Sequence, residues 1–204
     1  MRLNTTKCKL LALRCPSMAD LPMIHLNGTV LEYVDHYKYL GIELNTELRP
    51  DLQWERVASR LNSLPFLIKQ LKLVGWSTSM LVSAYRAHGL SHFVYSAPIL
   101  TSCTVGAKSE MASVQRKVLR AIGISEATAA ARYNIQPINE RVDDICARTL
   151  ERILNDDEHP IHANLHQNSR GNLLTHRARG DRYNQSFLVK FMRLKREAHR
   201  RGNI

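Results

Sequence analysis

The side chains in this sequence with the types and spacing that chemistry requires are paired carboxylates and clustered histidines. Asp143-Asp144 are the first candidates for holding two metal ions in phosphoryl transfer. They lie inside "NERVDDICARTLERIL", a helical pattern in which adjacent side chains diverge by about 100° and no third carboxylate joins them. That pair reads as a solvated helix face, and Asp156-Asp157-Glu158, in a polar stretch, reads the same way. His159, His162 and His166 have metal-like spacing near Asp156 and Asp157, the minimal set for a metal-dependent nuclease. The sequence around them offers no apolar support or outer shell. His88 and His92 flank Gly89 at the expected end of a helix, where core packing or a favourable terminal cation accounts for them. The motifs G-x-x-x-x-G-K and G-x-S-x-G and a Cys/His nucleophile arrangement are absent. The residues alone nominate no catalytic group, no metal ligand set and no cofactor.

Basic residues carry the stronger signal. The formal charge is +11, and it is uneven: residues 161–204 hold ten Lys and Arg against two acids, whereas residues 1–160 hold 19 against 16. Such a field attracts phosphate backbones without specifying sequence. Lys7 and Lys9 near the start, Arg56, Arg60, Lys69 and Lys72 in a first helical stretch, and Arg116, Lys117 and Arg120 in a later one are candidate phosphate contacts. In the tail, Lys190, Arg193, Lys195, Arg196, Arg200 and Arg201 crowd one helix. Charges that only solvate a bundle give the same count. RNA, DNA or their hybrid is the expected partner. A membrane is not, because no run of about 18 apolar residues is present. Cys8, Cys15, Cys103 and Cys146 form no C-x-x-C, which points to an intracellular thiol protein.

The elements that must position these groups fall into three parts, 1–47, 48–154 and 155–204. Residues 7–13 and 30–44 carry β-like stretches, and Asn27-Gly28 is a strong turn signal. If "YKYLGIEL" (37–44) runs as one strand, Val34, Leu40, Ile42 and Leu44 face one way and Tyr33, Tyr37 and Tyr39 the other. Gly41 then leaves a gap for another backbone, and Lys38 on the apolar side must reach a rim or an anion. This spacing fits a half-buried hairpin or a clamp for a polymer end. From Pro50 the period lengthens, and Leu52, Val57, Leu61, Leu64, Ile68 and Leu71 share one face of a helix bent at Pro65. Ser77 or Thr78 caps a second helix carrying Leu81, Ala84 and Tyr85 inward. A third spans about 109–122 with Met111, Val114, Val118 and Leu119 inward, and a fourth from Pro137 buries Val142, Ile145, Thr149 and Ile153. Residues 155–184 read as a polar linker. The last helix, with Phe187, Phe191, Leu194 and Ala198 on one side, is expected to need a partner for order. The fold class is α+β: a small N-terminal β-hairpin element, a mainly helical bundle and a basic C-terminal tail.

Taken in order, "NTTKCKLLAL" (4–13), "YKYLGIEL" (37–44), "LVSAYRAHGLSHFVYSAPIL" (81–100), "VQRKVLRAIGI" (114–124) and "YNIQPINERVDDICARTLERIL" (133–154) resemble the downstream part of the reverse transcriptase of non-LTR retrotransposons, especially arthropod-type LINE elements. The resemblance covers residues 1 to 165. It implies a fragment of an RNA-directed DNA polymerase that begins at the palm edge. Asn4 and Lys7 match the family's N-x-x-K segment, whose lysine assists pyrophosphate departure. Lys38, Tyr39, Leu40 and Gly41 match the primer-grip hairpin that positions the growing 3′ end, and the helices match the thumb. The family's early palm aspartate and Y/F-x-D-D pair, which hold Mg²⁺, have no counterpart here, so the resemblance implies a chain that polymerises nothing alone. Its alternative from another class is a non-enzymatic helical scaffold that binds protein or self-associates through an exposed strand edge.

Overall fold

The structure is a computed structural model and describes residues 4–13, 15, 21–162, 165, 174 and 181–200, without the side chains of 6, 181, 182, 199 and 200. Short strands come first and helices follow, which makes the fold α+β. After a 3-10 turn at Thr5–Lys7 come β1 (Lys9–Leu10), β2 (His25–Leu26), β3 (Thr29–Val30), β4 (Glu32–Tyr33), β5 (His36–Tyr39) and β6 (Ile42–Asn45). β1 runs parallel to β4, with Lys9 opposite Glu32 and ion-paired to it. β2–β3 and β5–β6 are antiparallel hairpins with two-residue turns at Asn27-Gly28 and Leu40-Gly41. Lone two-stranded ribbons are marginal in water, so the second hairpin depends on the packing of β6 against the first helix.

The turn at Leu40-Gly41 corrects the expected facing of side chains. Tyr37 lies opposite Leu44 and Tyr39 opposite Ile42, and directly opposed residues share a face. The tyrosines are therefore on the same side as Ile42 and Leu44. Lys38 stands opposite Glu43 on the polar face with His36 and Asn45, because a two-residue reversal shifts the parity of every later position.

The bundle comprises α1 (Asp51–Leu61), α2 (Leu64–Leu73), α3 (Thr78–Tyr85), a π-turn (Arg86–Leu90), α4 (Ser91–Leu100), α5 (Val105–Ile122), α6 (Glu126–Tyr133), α7 (Ile138–Leu154), α8 (Asp181–Asn184) and α9 (Phe187–Arg200). The expected bent helix over 50–71 is two helices, broken at Asn62-Ser63. Pro65 sits in the first turn of α2, where its missing N–H has no intrahelical partner to lose. Ser77 caps α3, accepting from the Met80 N–H at 3.4 Å. Residue 89 does not end that helix: the chain continues through the π-turn into α4. A Cβ on Gly89 would lie 2.5 Å from the Tyr85 ring and 2.9 Å from Leu64, so close packing explains this glycine. α6 has no counterpart in the sequence reading, because "EATAAARY" buries only Ala129 and so makes no visible stripe.

α2 packs on α5, α4 on α7, and α1 on α4. Tyr85, Phe93, Leu61, Ile68, Leu100, Met111 and Ile138 are fully buried between them, and Trp54 stacks on Phe93 with centroids 6.1 Å apart. The buried stripe of α7 is Ile138, Val142, Cys146, Leu150 and Ile153, which leaves Ile145 and Thr149 half-buried on its flank. α9 departs further from expectation. It packs on α7 and buries Val189, Phe191 and Met192, while Leu194 is exposed, so its order comes from the bundle itself. Most of the linker expected over 155–184 lies outside the described residues.

Candidate nucleic-acid interface

The β5–β6 hairpin carries Lys38, Tyr39, Leu40 and Gly41, and a polar lattice from α1 and α4 fixes it in place. Gln53, only 2 % exposed, accepts the Glu43 backbone N–H at 2.9 Å and donates to Ser96 Oγ at 2.7 Å. Arg56 Nη1 lies 2.7 Å from Glu43 Oε1, with both side chains mostly buried. At the far end the Tyr95 hydroxyl donates to the Leu40 carbonyl. On the other flank Tyr37 Oη donates to the carbonyl of Lys7 at 3.1 Å. Each such bond contributes about 1 kcal/mol net, and together they prevent the ribbon from pivoting.

The space beside Gly41 is not open to a second backbone. A Cβ there would lie 3.4 Å from the Tyr95 ring, so a side chain of the bundle fills the expected gap. Tyr39 and Leu40 remain 59 % and 72 % exposed at the tip.

Beside the hairpin, ionisable groups from three elements of the bundle come close together. His92 is three residues before Tyr95 on α4. Its pKa is lowered from the usual imidazole range, first by burial and then by Arg60, Arg56 and His88. Four cationic or ionisable groups from α1, the π-turn and α4 therefore share one field next to the hairpin. Arg60 is exposed there, whereas Arg56 is committed to Glu43 and serves the hairpin rather than a free phosphate.

A second basic surface lies on α2 and α5. Arg116, Lys117 and Arg120 are exposed on α5, and Lys69 and Lys72 are exposed on the adjoining α2. Lys72 Nζ donates to the Ile122 carbonyl at 3.1 Å, which closes the last turn of α5. Among the described tail cations, Lys190 is held on the bundle. Lys190 Nζ lies 2.7 and 2.8 Å from the two oxygens of Asp143 and 3.1 Å from Thr101 Oγ1. It pins α9 to the bundle, so the cation expected to contact nucleic acid is paired with Asp143 in the fold. Arg193 and Arg196 are half-buried, and the side chain of Arg200 lies outside the described residues. Lys7 is exposed in the 3-10 turn beside Asn4, and Lys9 is paired with Glu32.

Among the described residues, Asp143, Asp156, Asp157, His159 and His162 are held in other contacts. Asp143, expected to be solvated, is the acceptor for Lys190 and for the Thr101 hydroxyl at 2.8 Å. Asp156 accepts the Glu158 N–H, Asp157 lies 3.4 Å from His162 Nε2, and His159 Nδ1 accepts the Ile161 N–H. His166 is outside the described residues. Among the described residues no three His, Cys, Asp or Glu side chains converge to hold an ion, so the donor set does not fit the Mg²⁺ pair of a polymerase. The buried Cys103 and Cys146 thiols are pushed up to about 12, first by burial, which removes them as nucleophiles near neutral pH.

Sequence reasoning missed Gln53 and Tyr95, and read His92 as core packing or a terminal cation. Gln53 left one signal, a polar side chain beside the apolar stripe of Trp54, Val57 and Leu61, but nothing local marks Tyr95. No helix among the described residues is long and apolar enough to cross a membrane. In comparisons with family models, curated proteins and solved structures, nothing matches this chain.

Proposed function

We propose that this chain grips the end of a nucleic-acid duplex without polymerising it, in the manner of the primer-grip and thumb segments that it resembles in non-LTR reverse transcriptases. The observation that carries this reading is the hairpin tip, exposed at Tyr39 and Leu40 and held by Tyr95, with the exposed Arg60 on the adjoining α1. Tyr39 offers an exposed ring to a terminal base or sugar, and Lys38 offers a charge on the opposite face of the same strand. The exposed cations of α2 and α5 suit further phosphates of the same duplex. Among the described residues no carboxylates converge, and in this reading the residues stabilise bound duplex rather than transfer a phosphoryl group.

Binding of the full chain to a recessed RNA–DNA hybrid, followed by fluorescence anisotropy from about 50 to about 300 mM salt, tests this. The expected result is preference for the recessed hybrid over single strands of equal length and a steep fall with salt. Arg60→Glu should weaken binding about tenfold, and Tyr39→Ala should remove the preference for a recessed over a blunt end. Equal affinity for every polyanion, unchanged by Tyr39→Ala, would make the charge a generic attraction and overturn the proposal.

A further inference from the structure

α2 and α3 are rich in apolar residues, which normally means burial. Here the outward sides are bare. Phe66, Leu67 and Leu73 on α2 are exposed, as are Val74 just after it, Trp76, and Met80 on α3, with Leu73 at 79 % and Val74 at 73 %. Beyond Trp76 a groove of about 430 Å³ runs along the outside of α3 to His88. Its floor is Ser79, Ser83, Ala84 and Ala87, side chains short enough to let another helix approach closely.

The charge around the groove is one-sided. Residues 56–109 contain six Lys and Arg and no Asp or Glu, so the chain segment that builds α2, α3 and α4 carries no carboxylate of its own. Lys69, Arg86 and His88 are exposed on the elements that border it. We infer that this groove seats an amphipathic helix of a different protein, with its apolar face on Trp76 and Met80 and acidic residues on its flanks. A second copy of this chain in a symmetric pair would bring the same acid-free surface and repel. Nucleic acid can stack on Phe66 and Trp76 but gains little from Leu73, Val74 and Met80, so oligothymidine is the competing probe. The apolar lining of the groove is separate from the hairpin tip, although His88 and Lys69 border both this site and the surfaces assigned to the duplex.

The probe is a synthetic helix of about 18 residues with Leu and Phe on one face and Glu elsewhere, beside a control of the same composition with its apolar positions scrambled. The chain has two tryptophans, and Trp54 is buried, so a blue shift on titration reports Trp76. The patterned peptide should give a saturable shift that is absent in Trp76→Phe, with binding at least about tenfold tighter than the scrambled control. Met80→Glu and Leu73→Glu, both at exposed positions, should each weaken it about tenfold while leaving the unfolding midpoint unchanged. Lys69→Glu should weaken it less. Equal binding of the scrambled peptide overturns the inference. So does an equal shift from oligothymidine or phosphatidylserine vesicles, or a self-associated chain in sedimentation that Leu73→Glu dissociates.

Discussion

Two turns in the β region have nearly the same backbone and opposite chemistry. Asn27-Gly28 and Leu40-Gly41 both reverse a hairpin in two residues, with φ of 51° and 77° in the first and 47° and 83° in the second. Positive φ at both positions is the geometry for which Asn-Gly is the preferred pair. Leucine is a poor choice there, because its Cβ crowds the carbonyl at a cost of roughly 1–2 kcal/mol. Nothing lies within 4 Å of a Cβ built on Gly28, whereas the second turn is held by Tyr95. The first turn is thus dictated locally and the second by the bundle. Strain that persists because its surroundings over-determine it tends to mark a working surface, and here it marks the tip assigned to the duplex end.

The largest way to break the contrast is Gln53→Ala. It deprives the Glu43 N–H and Ser96 Oγ of a buried partner and should cost about 2–4 kcal/mol in urea unfolding. A loss below about 1 kcal/mol would mean that the hairpin is not supported as described. Gly41→Ala comes next, at roughly 1–2 kcal/mol, since it adds a second strained side chain against Tyr95. Leu40→Asn should do the opposite and stabilise by about 0.5–1 kcal/mol, because the position is exposed and asparagine tolerates the left-handed region. A neutral or destabilising result in a melting assay would show that Leu40 packs on something it is not seen to touch. The smallest effect is on pH. The His92 pKa is lowered in the folded chain, so the unfolded chain binds more protons as pH falls through the ordinary imidazole range, and its contribution to stability declines there. His92→Gln should flatten that part of the stability profile, and duplex bound at the same site should raise the His92 pKa in an NMR titration.

How much the sequence disclosed follows the same division between local and distant causes. Asn27-Gly28, the Ser77 cap and the stripe of Met111, Val118 and Leu119 were legible because propensity and period act over a few residues. The side assigned to Tyr37 and Tyr39 was not, since the Leu40-Gly41 reversal carries no local turn signature. α6 escaped notice because alanines bury little. Among the candidate site residues, exposure of Arg60, Arg116, Lys117 and Arg120 agrees with the reading from spacing. Arg56 and Lys190 could not be separated from them, because their partners, Glu43 and Asp143, lie 13 and 47 positions away. The burial of α9 was hidden similarly: Phe191 and Met192 adjoin a basic face that reads as a free arm until Asp143 is placed against it.

The central claim is that the hairpin tip meets the end of a recessed strand. It is tested most directly by introducing p-benzoylphenylalanine in place of Tyr39 in the full chain, irradiating the complex with a recessed RNA–DNA hybrid and mapping the crosslinked nucleotide. The account predicts crosslinks concentrated at the recessed 3′ terminus and lost when that end is made blunt. Crosslinks spread evenly along the duplex, or none at a concentration that saturates anisotropy, would contradict it and leave the basic surfaces of α2 and α5 as the only contact.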